Sequence, residues 1–313
     1  MLKTCLAIVA TYVAVSVALA ISFFAAFPEA PPDTSPRLPP APVRASVATT
    51  AGFGCGIPAL LAIGGLDGAR RYFRDRRRVL RGRKTSDRED GAIEAFVGRL
   101  VATGAPLPAP LSGRPCILYH YAATHVSSGR SKDTVTDAEG YGLARCQIET
   151  ASGRYDICTY LEPEFEADAV TDYVDGRARL EAYLQTVTVH RPGHDRLADY
   201  RQYKAQRLDD DGEVRFDSGR ENGLEWATSL AEHVLQDGDE VAIFGMYSAE
   251  RYAVVPDQAN PLVNVARVRK GDPRTIAGGL ILPLVLNAIA GLVFLGVTVG
   301  LVGLFFQHGA LFF

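Results

Sequence analysis

The sequence is poor in the residues that build metal and redox centres. Its five cysteines are spread over 313 residues, and no two of them lie at the Cys-x-x-Cys spacing. The absence of this spacing excludes a zinc knuckle and a dithiol redox motif. A glycine-rich phosphate loop is also missing from the sequence, and the net charge of −3 gives no overall basic character for nucleic-acid binding.

Charged residues are scarce near the two ends of the chain, where apolar residues are concentrated instead. Thr4 to Phe27 is almost wholly apolar. As a helix it would be roughly 36 Å long, enough to cross a hydrocarbon core of about 30 Å. Val47 to Leu66 and Ile276 to Phe306 are two further apolar runs. Residues 28–46, between the first two, are rich in proline and predict an extended spacer. We therefore expect a multi-span helical membrane anchor.

Two of these runs have a second interpretation. For Thr4 to Phe27 it is a cleaved signal peptide, although the run exceeds the usual 7–15 apolar residues of such a peptide. For Val47 to Leu66, which contains several glycines and Pro58, it is a re-entrant or buried hairpin. In the last run Asn287 is expected to pack against another helix, and Gly296 and Gly300 form one GxxxG spacing that suggests a homo-oligomer.

A basic segment, residues 70–84, directly follows the second apolar run. Asp75 is its single acidic residue. Cations beside a span favour the cytoplasmic side and attract anionic lipid head groups. Four more basic residues precede the last apolar run: Arg267, Arg269, Lys270 and Arg274. We therefore expect an integral protein of the plasma (inner) membrane with a cytoplasmic central domain. The predicted membrane-surface residues of the segment are Arg70, Arg71, Arg74, Arg76, Arg77, Arg78, Arg81, Arg83 and Lys84.

The central part, residues 92–270, predicts a mainly β domain of α+β type, either a small barrel or an open sandwich with one short helix. The helix is expected over Glu221–Gln236 and a polar loop over Ser127–Gly140. The predicted strands are Ala95–Ala102, Cys116–Thr124, Tyr141–Thr150, Tyr155–Leu161, Leu180–His190, Tyr200–Leu208, Glu213–Phe216, Glu240–Tyr247 and Tyr252–Val255.

No catalytic group, metal site or cofactor can be assigned from the residue pattern. Cys116 and His120 lie four residues apart on a strand, which places them about 13 Å from each other, too far for a catalytic dyad. His190 and His194 have no third ligand at a suitable spacing. The acidic run at 209–213 lacks the spacing of a calcium loop and predicts a turn. Cys146 and Cys158 flank a turn, but a reducing cytoplasm disfavours a disulfide between them. The single tryptophan, Trp226, is expected to pack on the predicted helix.

Two sequence motifs resemble those of the GIDE ("beside a membrane") domain family, which includes the mitochondrial RING-type ubiquitin ligase and prokaryotic relatives. One is a Pro-rich turn made of Pro110, Leu111, Ser112, Gly113, Arg114, Pro115, Cys116 and Tyr119. The other is a Gly-Asp-x-Val-x-x-x-Gly stretch made of Gly238, Asp239, Val241 and Gly245. The order of apolar runs, basic segment and domain is also similar. The resemblance is good at the two ends of the domain and poor between about Val126 and Arg220.

The resemblance implies a membrane-tethered domain, and the RING finger that carries ligase activity does not carry over. A RING needs eight Cys and His ligands for two zinc ions, and the residues after Phe306 include His308 and no cysteine. We therefore expect a non-enzymatic protein-interaction module at the membrane. By analogy with the family's prokaryotic relatives, it would belong to an envelope-stress or defence assembly. The alternatives are a ubiquitin-ligase-like component that needs a separate catalytic subunit, a hydrolase, and a barrel that binds lipid or a small ligand.

Overall fold

The computed structural model describes residues 41–82, 88–128, 132–169, 173–190, 214–219, 223–257 and 265–312. They divide into two compact units. Asp75–Gly278 form one, here called the β domain, and the residues before and after it form the other, the helical unit. Predictions for Thr4–Phe27, Tyr200–Leu208, His194, residues 209–213 and the end of the basic segment (Arg83, Lys84) fall outside the described residues.

The described elements follow one another in this order along the chain. The helices are α1 (Ala41–Gly82), α2 (Tyr173–Leu184), α3 (Gly223–Trp226), α4 (Pro273–Gly279) and α5 (Ile281–Phe312). The strands are β1 (Ile93–Ala102), β2 (Leu107–Pro108), β3 (Pro115–Cys116), β4 (Leu118–Val126), β5 (Thr134–Leu143), β6 (Cys146–Thr150), β7 (Gly153–Ile157), β8 (Glu162–Pro163), β9 (Asp168–Ala169), β10 (Val189–His190), β11 (Val214–Gly219), β12 (Ser229–Leu235), β13 (Glu240–Ser248), β14 (Ala253–Val255) and β15 (Arg267–Lys270).

Five strands of the β domain close into a small barrel in the order β1-β6-β7-β14-β13 and back to β1. β15 pairs with the outer edge of β13 and carries β8 beside it. Gly245 lies where β13 changes its partner from β15 to β14, and a Cβ there would lie 2.4 Å from a Val254 methyl carbon. A side chain of β14 therefore lies directly against the backbone of β13 at Gly245.

A second sheet contains six strands in the order β10-β11-β5-β4-β12-β9. Because side chains alternate along a strand, its two faces have different neighbours. Leu118, Tyr141 and Leu235 point to the barrel and share one hydrophobic core with barrel residues such as Phe96 and Ile148. The opposite face packs against α2. Its core consists of Leu107, Ala109, Leu111, Cys116, Tyr119, Tyr121, Ala123, Ala138, Ala144, Leu180, Ala227 and Val234.

Of the two architectures expected, the barrel is present, and two pairs of predicted strands form hairpins. The predicted strand Tyr141–Thr150 is divided at Ala144 and Arg145 into the end of β5 and the whole of β6. β6 pairs with β7 around the turn at Ala151 and Ser152, and β13 pairs with β14. β1 begins two residues before the predicted strand. The predicted Cys116–Thr124 strand is interrupted at Ile117, so Cys116 pairs in a separate small ladder, opposite Leu107.

Three predictions of local structure are wrong. Glu221–Gln236 contains the short α3 and then β12, whose seven residues pair with β4. Ser127–Gly140 contains most of β5, because Asp137 there is buried against His125. Leu180–His190 begins as the end of α2, whose Leu180, Tyr183 and Leu184 share the face that packs on the sheet. Over such short stretches the spacing of the apolar residues fits both a helix and a strand. The element that each segment packs against in the folded domain then determines which of the two forms.

Two further expectations need correction. The Pro-rich spacer does not reach Ser46, because α1 begins at Ala41. Pro42 then lies in the first turn of α1, where its missing N–H has no helical acceptor to lose. Trp226 does not pack in a core: 66 % of it is exposed at the end of α3.

Among the residues described, one segment, Pro273–Leu304, is long and apolar enough to cross a membrane, so the expected multi-span anchor is not supported there. Many of its large apolar side chains, such as Leu282, Leu292 and Val299, are exposed, as expected in a lipid environment. A Cβ on Gly65 of α1 would lie 2.7 Å from the backbone nitrogen of Gly291, so the two helices cross in close contact. Asn287 packs beside Gly68, as expected for a polar residue at a helix contact.

Candidate functional site

The Pro-rich motif turn is held by two charged side chains of the β domain. Glu232 of β12, 1 % exposed, accepts hydrogen bonds from the backbone nitrogens of Leu111 (2.7 Å) and Ser112 (3.1 Å). Arg179 of α2 donates from Nε to the Leu111 carbonyl at 2.6 Å. Both groups bind backbone atoms, so Leu111 and Ser112 are fixed in place. The motif serves as a folded connection between the sheet and α2.

The turn itself depends on its glycine. Gly113 has a φ of +70°, a conformation in which a Cβ is strained. Its nitrogen donates to the Ala109 carbonyl at 2.8 Å, which closes the turn between Pro110 and Pro115. Ser112 lies in this turn without the strand–turn–helix context of a nucleophile elbow.

Cys116 is a core residue with an unreactive thiol. It is 1 % exposed, and its Sγ donates to the Leu107 carbonyl at 3.2 Å. Burial raises the pKa of the Cys116 thiol to about 12, and the nearby charge of Glu232 raises it further against a lowering by Arg114. Because the thiolate is the nucleophile, this thiol is inert at neutral pH. The four described cysteines, including Cys146 and Cys158, are all free thiols.

The second motif also builds a turn. Gly238, with a φ of +86°, donates from its nitrogen to the Leu100 carbonyl at 2.8 Å. The Asp239 carboxylate accepts from the Gln236 nitrogen (2.8 Å) and lies 2.9 Å from the Lys270 ammonium. Val241 is buried in the barrel core. These contacts join β12, β13 and β15, so the residues that carry the family resemblance support the fold.

Three tyrosines and one aspartate form a closed polar network on the α2 side of the six-stranded sheet. Asp217, 3 % exposed, accepts from the hydroxyls of Tyr121 (2.8 Å) and Tyr183 (3.0 Å). The hydroxyl of Tyr119 lies 2.6 Å from that of Tyr183. Burial raises the pKa of Tyr121 and Tyr119, and Asp217 adds to both shifts, so the hydroxyls stay protonated as donors.

Two glycines in β5 make room for these rings. A Cβ on Gly142 would lie 2.3 Å from a Tyr119 ring carbon, and one on Gly140 would lie 2.3 Å from both Tyr121 and Asp217. Cβ atoms essentially never come so close to other atoms, so only glycine fits at these two positions. The tyrosine hydroxyls and Asp217 can then reach one another, and buried polar groups that satisfy one another suit a structural role.

The barrel-facing side of the same sheet contains a cavity of about 180 Å³. His120 and His233 are direct partners across β4 and β12, and their rings stack with centroids 5.7 Å apart. Phe165 contacts His233 edge to face at 5.3 Å. The wall is completed by residues from β5, β8, β11 and the segment before β8. The lining residues are His120, Glu139, Gly140, Tyr160, Glu162, Pro163, Phe216 and His233.

His233 has a buried hydrogen-bonding atom without a partner among the residues described. This atom is Nδ1, while the ring is hydrogen-bonded to the Phe165 backbone. Burial lowers the pKa of His233, against smaller raising effects of the Phe165 backbone and Asp168. The ring is therefore neutral at pH 7.

The described residues contain no group of three or more His, Cys, Asp or Glu side chains that could hold a metal ion. His190 ends β10, and its predicted partner His194 is outside them. His125 Nδ1 contacts both carboxylate oxygens of Asp137, at 2.8 and 2.7 Å. Asp137 is 1 % exposed, so His125 gives this buried carboxylate a hydrogen-bonding partner. Sequence spacing gave no signal for it, because His125 and Asp137 meet only through the β4–β5 pairing.

The basic segment lies on α1, and its acidic residue has a separate role. Asp75 is 2 % exposed and accepts from Arg267 of β15 at 2.9 Å, while Arg267 also contacts Glu164 at 3.1 Å. Burial alone would raise the pKa of Glu164, but the charges of Arg267 and Arg269 hold that pKa below its ordinary value. Asp75 thus ties the end of α1 to the sheet. The predicted surface residues Arg70, Arg71, Arg74, Arg77 and Arg81 are exposed, and Arg76 and Arg78 are half-buried.

Comparison of the chain with protein-family models, curated proteins and solved structures finds no match.

Proposed function

We propose that the protein is a membrane-tethered, non-enzymatic module that presents its β domain to a protein partner at the surface of the inner membrane. One observation carries the proposal. β15 ends at Lys270, and after two intervening residues α4 begins the apolar segment Pro273–Leu304. A folded domain joined so closely to a bilayer-length helix has to work within a few ångströms of the lipid surface.

The close contact of α1 with α5 supports a second span. Lipid gives no hydrophobic drive for helix association, so membrane helices meet through small residues that let their backbones approach. Gly65, Gly68 and Gly291 make such an approach. With Val47–Leu66 as a span, the exposed arginines of α1 come to lie at the head groups, where anionic lipids attract them. Gly296 and Gly300 have no described atom near their Cβ positions and remain our proposal for a homo-oligomer contact.

The chemistry of the β domain supports a binding role over catalysis. Its motif residues hold the fold, and its Cys116 thiol is protonated. The resemblance to the GIDE family rests on the same motif residues, and we propose kinship with its members that lack a RING finger. By that analogy the partner belongs to an envelope-stress or defence assembly.

Topology reporters fused at Ser86 and at Phe313 test the membrane arrangement. We expect cytoplasmic signal at Ser86 and external signal at Phe313, because cations flank the domain on both sides and resist translocation. Signals from the same side at both positions would refute the arrangement.

Affinity purification from solubilised membranes tests the binding role. The full chain is compared with a matched chain that lacks residues 88–270 but keeps both apolar flanks. We expect a stoichiometric protein partner with the full chain only. Equal recovery with both chains would place the interaction in the membrane helices and contradict the proposal.

A further inference from the structure

The cavity beside β8 has walls of one electrostatic character. Its two charged lining residues, Glu139 and Glu162, are both carboxylates, and no lysine or arginine lines it within the described part of the chain. Glu139 belongs to β5 of the six-stranded sheet and Glu162 to β8 beside the barrel. Carboxylate side chains therefore line the cavity from two different sheets.

Aromatic rings supply most of the remaining wall. His120 and His233 stack in nearly parallel planes, 16° apart. Tyr160 is supported from behind by Tyr141, with ring centroids 4.4 Å apart, and Phe216 packs against the barrel core. Because burial keeps His233 neutral, its ring adds no positive charge. Carboxylates and ring faces both attract cations.

The size of the cavity limits what can enter. Its volume of about 180 Å³ is below the roughly 300–1,000 Å³ of pockets that hold drug-sized ligands. A lipid acyl chain or a nucleotide is too large for it, whereas a single charged head group fits.

We propose that this cavity is a binding site for an alkylammonium group, either of a free amine or of a lysine side chain. An ammonium carries three donors and no acceptor, which complements separate carboxylates and the open Nδ1 acceptor of His233. The site is independent of the membrane-tethering proposal, since a free amine can fill it without a partner protein.

Calorimetric titration of the full chain in lipid nanodiscs tests the site with n-butylammonium and with N-acetyl-lysine methylamide. 1-Butanol is the neutral control of similar size. We expect saturable binding of n-butylammonium and none of 1-butanol. Binding of the lysine derivative as well assigns the site to a side chain, and binding of n-butylammonium alone assigns it to free amines.

Two variants and one matched control locate the binding. Glu139→Gln and Glu162→Gln should each weaken n-butylammonium binding about tenfold, because each removes a charge-assisted hydrogen bond. Glu149→Gln should leave it unchanged, since that carboxylate contacts Arg154 on the β6–β7 hairpin and does not line the cavity. Melting temperatures of all three variants verify that each is folded.

The proposal is overturned if neither amine binds saturably, or if 1-butanol binds as well as n-butylammonium. It is also overturned if both cavity variants, folded as the control is, bind with the affinity of the unaltered chain. The comparison of amine with alcohol needs no variant, so it decides even if a substitution prevents folding. Failure of this site would leave the topology and partner experiments untouched.

Discussion

The two faces of the six-stranded sheet use similar residue types for opposite purposes. On the α2 side, tyrosine hydroxyls and Asp217 bind one another, and little of the group is open to solvent. On the barrel side, histidines and glutamates line a cavity, and His233 keeps a nitrogen without a partner among the residues described. The first group is closed by its own members, whereas the second borders a space that a ligand can enter. Polar side chains on one sheet can therefore be assigned to structure or to binding by whether they border a cavity.

The largest effect is expected on the closed face. Asp217→Ala removes the acceptor of two tyrosine hydroxyls and should cost about 3 kcal/mol of stability, because buried donors are left unpaired. Asp217→Asn keeps an oxygen acceptor and should cost about 1 kcal/mol. Thermal denaturation of the full chain in detergent measures both. Equal, small losses for the two variants would mean that the network contributes little to the fold.

A smaller effect is expected from filling the space under the tyrosines. Gly142→Ala places a methyl group 2.3 Å from the Tyr119 ring, and overpacking of this kind costs about 1–3 kcal/mol. Gly219→Ala on β11 is the matched control, since its nearest described contact is an ordinary 3.4 Å. If both variants have the same melting temperature, the sheet adjusts to the added methyl group more readily than the 2.3 Å distance indicates.

The smallest effect is expected at Cys116. From the sequence alone, serine is predicted to be worse than alanine there, because a buried hydroxyl without a partner is costly. The structure supplies a partner, since the Leu107 carbonyl already accepts from the thiol. We now expect Ala and Ser each to cost about 1 kcal/mol or less, with partner binding unchanged in both.

Thiol labelling sharpens this prediction. With its pKa raised to about 12, Cys116 should resist iodoacetamide at pH 8 in the folded protein, whereas the half-buried Cys158 should react. Mass spectrometry of the labelled chain distinguishes the two thiols. Faster labelling of Cys116, together with loss of function in Cys116→Ala at unchanged stability, would reveal a catalytic thiol.

The sequence predicted the parts of the fold that depend on local signals. Gly113 and Gly238 marked turns with positive φ, and the β13–β14 hairpin followed from alternation and turn residues. The sequence-based prediction of a helix was wrong for β12, whose extended form depends on pairing with β4. The sequence also gave no sign of Asp217 and Glu232, whose partners lie 34 to 121 residues away, or of the two glutamates that line the cavity, which no spacing links. The buried position of Asp75 within a basic run was equally invisible, since it depends on Arg267.

The most direct test of the account compares the two faces within one pair of variants. Asp217→Asn and Glu139→Gln each replace a carboxylate by its amide, one on each face. Melting temperature and n-butylammonium affinity are measured for both in nanodiscs. The account predicts that Asp217→Asn lowers the melting temperature and keeps amine binding, while Glu139→Gln keeps the melting temperature and weakens amine binding about tenfold. A loss of stability in Glu139→Gln with unchanged amine affinity would contradict the division of the sheet into a structural and a binding face.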